Sequence, residues 1–141
     1  KVIAVGRNER KLMALDADVK LAFGADLRAH VEEVDVVLDF LWGEPARALL
    51  LAATKRRLRF VQIGTSAGDE LSLRGDLLRG SGLELLGSGV GSVSVKELLV
   101  AAGELLAAAP SAEFQAPFVS VPLEAIGKAW TSDERCLVVP T

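Results

Sequence analysis

Short apolar runs alternate with amphipathic stretches along this chain, and that alternation confines it to parallel α/β architectures. Residues 2–5, 34–40, 60–63 and 83–86 are short and apolar, with Val and Ile prominent in the first three. Such runs suit strands buried on both faces of a sheet. Between them the spacing predicts helices. One runs over 9–23, with Leu12, Leu15, Val19 and Phe23 on a single stripe. Another covers 45–55, with Pro45 at the first helical position. The clearest covers 95–109: Val95, Leu98, Leu99, Ala102, Leu105 and Leu106 recur at i, i+3, i+4, i+7, and Pro110 closes it. Strand, helix, strand implies parallel strands joined by right-handed crossovers, hence a doubly wound sheet of the Rossmann-like kind. Residues 1–113 form that domain. Residues 114–141 read as a tail with strands at 118–121 and 137–139 around a short helix at 123–130.

Composition narrows the function classes. The 141 residues match one ordinary domain, and 50% hydrophobic with 25% charged residues is a globular mixture. A chain of this size buries about 68–70% of its unfolded surface and needs no metal or disulfide to fold. Net charge is −3 with both signs interspersed, which argues against a nucleic-acid partner. No apolar run is long enough to span a bilayer. The single cysteine, Cys136, has no internal partner, and no secretion signal is visible. A cytoplasmic location is expected. The chain begins at Lys1 without a methionine, which is compatible with a trimmed or incomplete polypeptide.

The catalytic inventory is sparse. His30 is the only histidine and there is no tyrosine. No zinc site is expected, because a tetrahedral site needs at least three good ligands. Asp16, Asp18, Glu32 and Asp35 read as solvated faces and turn formers, so no catalytic residue is assigned. The run Gly87-Ser88-Gly89-Val90-Gly91-Ser92 follows a strand and precedes the strongest helix. That context could cradle a phosphate. Its spacing is G-x-G-x-G rather than G-x-G-x-x-G, so a flexible strand-to-helix turn is the favoured reading. At the end of the first strand, Gly6 stands where a dinucleotide fold usually has an acid for the ribose 2′-hydroxyl, and Arg7 and Lys11 follow. Adjacent cations without a carboxylate suit a 2′-phosphate, although a plain basic helix start is the simpler reading.

Taken together, residues 2–12, Phe23-Gly24-Ala25-Asp26, Val34-Asp35-Val36-Val37-Leu38-Asp39-Phe40, residues 59–68 and residues 83–92 resemble the cofactor domain of medium-chain dehydrogenase/reductases. The zinc-independent members near the quinone oxidoreductases are the nearest likeness. Residues 119–130 resemble that family's closing segment. The resemblance implies NADP(H) as cofactor. Gly6, Arg7 and Lys11 would face the adenosine 2′-phosphate, Phe40 and Leu41 the adenine-side ribose, and Ile63, Gly64 and Ser66 the nicotinamide half. It also implies a homodimer through the strand from Leu83 to Gly87, paired across a two-fold axis. The family's catalytic domain, first strand and glycine-rich loop are absent from these residues. The expectation is therefore a truncated, NADP-dependent oxidoreductase-like chain, inert alone and at most a weak NADP(H) binder. The alternatives are a complete reductase whose N-terminal part lies outside this sequence, or a dimeric binding module.

The missing strand sits at position 1 in the order 3-2-1-4-5-6. Something must satisfy the edges it leaves. The expectation is that residues 2–5 pair directly with 34–40, with the tail packed on the sheet or on a partner protomer.

Overall fold

The computed structural model describes residues 1–32, 34–53, 57–112 and 117–140. The chain divides into two compact units, Lys1–Val93 and Ser94–Thr141, so the long helix groups with the tail.

The first unit runs β1 (Ile3–Gly6), α1 (Glu9–Met13), β2 (Val19–Ala22), α2 (Arg28–Val31), β3 (Val36–Asp39), α3 (Gly43–Ala52), β4 (Arg59–Gln62), α4 (Gly75–Ser81) and β5 (Glu84–Gly87). Every strand pairing is parallel, in two blocks: β1 with β2, and β3-β4-β5. The expected parallel α/β class is what the chain forms.

The helix expected over 9–23 is instead a helix and a strand. Asn8 caps α1, its side chain accepting from Lys11 N–H at 3.0 Å. The helix ends at Met13, and the stretch through Asp16 and Asp18 is not helical. Short acidic side chains compete for backbone groups, and Asp18 accepts from Val2 N–H at 2.6 Å, which ties the turn to the start of β1. Val19 and Leu21 then run beside Ile3 and Val5. Residues 2–5 and 34–40 therefore do not pair directly. β1 instead takes β2, the strand hidden in the presumed helix, as its partner on one edge, and among the described residues β1 and β3 are not neighbours.

The core gathers on one face of the three-stranded block. Val31 of α2, Ala46 and Leu50 of α3, Ala53, Leu58 and Phe60 are buried together, with Val37 packed against them. Phe60 is fully enclosed. The opposite face of β3 is bare: Val36 is 47% and Leu38 63% exposed, so these strands are not covered on both faces.

The second unit contains α5 (Val95–Ala112), β6 (Val119–Pro122), α6 (Ile126–Trp130) and β7 (Cys136–Val139), with β6 and β7 parallel. Pro110 does not close α5. It lies in the last turn, where its missing N–H forfeits one intrahelical bond, and the helix stops two residues later. No helix among the described residues is long and apolar enough to cross a membrane.

Candidate functional site

The carboxyl ends of β3 and β4 are locked together backbone to backbone. Asp39 closes β3 and is buried. Its carbonyl accepts from Ile63 N–H at 2.7 Å and Gly64 N–H at 3.2 Å. Its carboxylate turns back on the next residues and accepts from Leu41 N–H at 3.1 Å and Trp42 N–H at 3.0 Å. The Phe40 carbonyl accepts from both Ser66 N–H (3.3 Å) and Ser66 Oγ (2.9 Å), and Leu41 C=O accepts from Ala67 N–H at 2.8 Å. Gln62 Nε2 donates to Gly64 C=O at 3.2 Å.

Two glycines make this approach possible. A Cβ on Gly64 would stand 2.9 Å from the Phe40 carbonyl oxygen, and one on Gly43 3.0 Å from that of Ala67. Gly43 also has φ +57°. Beside it, Trp42 adopts φ 56°, ψ −159°, a region almost reserved for glycine and costing about 1–3 kcal/mol. Two features offset that strain: the Asp39 hydrogen bond, and the indole lying 6.3 Å from the Phe60 ring, tilted by 58°.

Of the residues expected at the site, Phe40, Leu41, Ile63, Gly64 and Ser66 thus converge on one rim. Phe40 is 58% exposed there. Gly6, Arg7 and Lys11 sit on the other block, at the β1–α1 turn. Gly6 C=O accepts from Phe23 N–H at 3.2 Å. Arg7 is exposed and makes no ion pair among the described residues. Asp39, Trp42 and Gly43 organise the rim and were not singled out from the sequence. An acid ending the apolar run 34–38, with a glycine four residues on, was the available signal for a capped turn.

The glycine run after β5 folds back on itself. Ser92 Oγ contacts both Gly89 N–H (3.2 Å) and Gly89 C=O (2.6 Å), and Ser88 N–H donates to Gln62 C=O at 2.8 Å. A Cβ on Gly87, Gly89 or Gly91 would meet nothing within 4 Å, so no close approach demands these glycines. Among the described residues no group of His, Cys, Asp and Glu could hold a metal ion.

No family model matches the chain, and no curated protein matches it either. Solved structures do. A quinone oxidoreductase of Pseudomonas syringae superposes with a TM-score of 0.75 at 18% identity, over 99% of this chain and 49% of its own. The quinone oxidoreductase of Escherichia coli, solved as a complex with NADPH, gives 0.71 at 21%, over 99% and 49%. An alcohol dehydrogenase of the archaeon Aeropyrum pernix gives 0.68 at 24%, over 90% and 37%. The chain therefore has the fold of part of these oxidoreductases, and it spans less than half the length of each.

Proposed function

We propose that the chain is the dinucleotide-holding portion of a medium-chain dehydrogenase/reductase-like, NADP(H)-dependent oxidoreductase, inert by itself and a weak binder of the cofactor. The observation that carries this reading is the fold shared over 99% of the chain with an oxidoreductase solved with NADPH. Open parallel sheets take ligands outside the carboxyl ends of their strands, where the interlocked rim and the Gly6–Arg7 turn both lie. Gly6 ends β1 without a carboxylate, and the neighbouring guanidinium of Arg7 suits a 2′-phosphate. Bound there, the dinucleotide would supply hydride-transfer chemistry; Phe40, Ser66 and Gly64 would border it.

Weakness follows from the pyrophosphate. The N–H groups of Ser88, Gly89 and Ser92 are already engaged, so that loop offers no nest. One or two charge-assisted contacts at roughly 1.5–3 kcal/mol each correspond to a Kd near the millimolar range. In a fluorescence titration NADPH should bind in preference to NADH, and Arg7→Ala should erase about a tenfold difference or more. Equal affinity for the two cofactors, or indifference to Arg7→Ala, overturns the cofactor assignment. Robust NADPH-dependent quinone reduction by the 141-residue chain overturns its inertness.

A second feature favours self-association. Among the described residues β5 is paired on one edge only, and Leu85 and Leu86 are 43% and 42% exposed. An apolar open edge invites a second copy. Leu85→Pro removes a ladder donor and should weaken a dimer in light scattering. A variant as dimeric as the parent would place the interface elsewhere.

A further inference from the structure

We propose that the peptide between Trp42 and Gly43 is a two-position element that turns over in place, exchanging the donor it offers for an acceptor. The inference starts from which dihedral carries the strain. The φ of Trp42, 56°, belongs equally to the left-handed basin that some side chains tolerate. Its ψ of −159° is what makes the pair almost glycine-only. Rotating ψ to roughly +47° would bring the residue into that basin with φ unchanged.

The contacts around Trp42 fix φ and leave ψ free. The Asp39 carboxylate accepts from Leu41 N–H at 3.1 Å and Trp42 N–H at 3.0 Å, which pins the peptides on both sides of Leu41. The indole is anchored by the Phe60 ring, 6.3 Å away. Neither contact touches the next peptide. The compensating torsion is the φ of Gly43, now +57°, and glycine adopts either sign without steric penalty. A turn about ψ of Trp42, answered by an opposite turn about φ of Gly43, leaves the chain on either side in place.

The present position is weakly held. Trp42 C=O accepts from Ala46 N–H at 3.5 Å, beyond the usual range for such a bond. Pro45, one residue nearer, has no N–H to add. Gly43 N–H lies antiparallel to the Trp42 carbonyl across their trans peptide, and it has no acceptor among the described residues. Gly43 is buried, so this orphaned donor adds to the cost of the torsion. Turning over relieves the torsion, gives up one long bond and points the carbonyl where the N–H now points. The turned position is then a minor state of roughly 0.1–10%. A group that accepts from Gly43 N–H selects the present position, and one that donates to Trp42 C=O selects the other.

The test is nuclear relaxation dispersion on the 141-residue chain with no cofactor present, so it stands apart from the functional reading above. Exchange should appear at the Trp42 carbonyl carbon and the Gly43 amide, and be absent from the Leu41 amide and the Trp42 indole. A close amide–amide contact between residues 42 and 43 marks the turned position, because ψ near −159° holds those protons apart. Trp42→Asn, which tolerates the left-handed basin, should raise the turned population about tenfold or more. Trp42→Gly, which removes the torsional cost, should lower it by a similar factor. The wild-type measurement decides alone where a variant fails to fold. No exchange at this peptide, together with no such contact, overturns the proposal. So does exchange that spreads to Leu41 and the indole, because the whole turn would then be moving, or equal populations in the two variants.

Discussion

The β3–α3–β4 block and helix α5 carry opposite kinds of stability. In the block, Phe60, Leu50 and Leu58 are 0–1% exposed, and the loops beyond β3 and β4 are cross-linked through the Asp39 carbonyl, which accepts from Ile63 and Gly64 N–H. In α5, eighteen residues with the strongest helical periodicity of the chain bury no side chain: Leu99 is 68% and Leu106 73% exposed. A clear sequence pattern certifies that a helix can form and which stripe is apolar. It does not certify that the stripe has anything to pack on. In the block the structure rests on tertiary burial, and in α5 on local terms.

The largest effect should come from the block's centre. Phe60→Ala should cost about 3–5 kcal/mol in urea unfolding, whereas Leu106→Ala should stay within about 0.5 kcal/mol. A large loss at Leu106 would break the comparison, because it would mean that the α5 stripe is covered in solution.

Next is the rim. Asp39→Ala strips the acceptor from Leu41 and Trp42 N–H groups and leaves the Trp42 strain offset only by its packing on Phe60. A loss of about 2–3 kcal/mol is expected, with Asp39→Asn milder because one oxygen remains. Equal and small losses in the two variants would show that packing of Trp42 on Phe60 holds the turn unaided.

The smallest effect should be local to α5. Ser94 and Glu97 form a reciprocal cap: Ser94 N–H and Oγ donate to Glu97 Oε2 at 2.8 and 2.7 Å, and Glu97 N–H donates to Ser94 Oγ at 3.3 Å. Ser94→Ala should lower stability by about 1 kcal/mol, read as helical signal. The hydroxyl and N–H of Ser94 hold the Glu97 carboxyl below its ordinary range. Its contribution is therefore present above the unfolded glutamate pKa and fades as pH falls through the lower folded value. Helicity of α5 insensitive to acid in that window would mean the cap adds nothing.

Much of the parallel class was legible in the chain itself. The runs at 34–40 and 60–63 and the tail near 119 and 137 sit where β3, β4, β6 and β7 form, because apolar β-branched runs between turn residues have few other uses. The rim residues Phe40, Gly64 and Ser66 were legible only through resemblance. That the Phe40 carbonyl would be held by the Ser66 hydroxyl depends on a contact across 26 residues of sequence, and Trp42 takes its glycine-like conformation against Phe60. β2 and α4 escaped periodicity altogether. Leu12, Leu15, Val19 and Phe23 fit one helical stripe, and only pairing with β1 reveals that Val19 belongs to a strand.

By itself, then, the sequence determined the alternation of strands and helices, the apolar stripe of α5, and the cation beside a carboxylate-free strand end. These follow from local periodicity, hydrogen-bonding inventory and charge, which neighbours along the chain suffice to specify. Only the tertiary structure decided which strands pair, which face of β3 is left bare, and that among the described residues the first unit's strands fall into two blocks. Strand pairing is a non-local choice: each backbone edge accepts any partner of the right direction, and the one that wins is set by crossover length, handedness and what else competes for it.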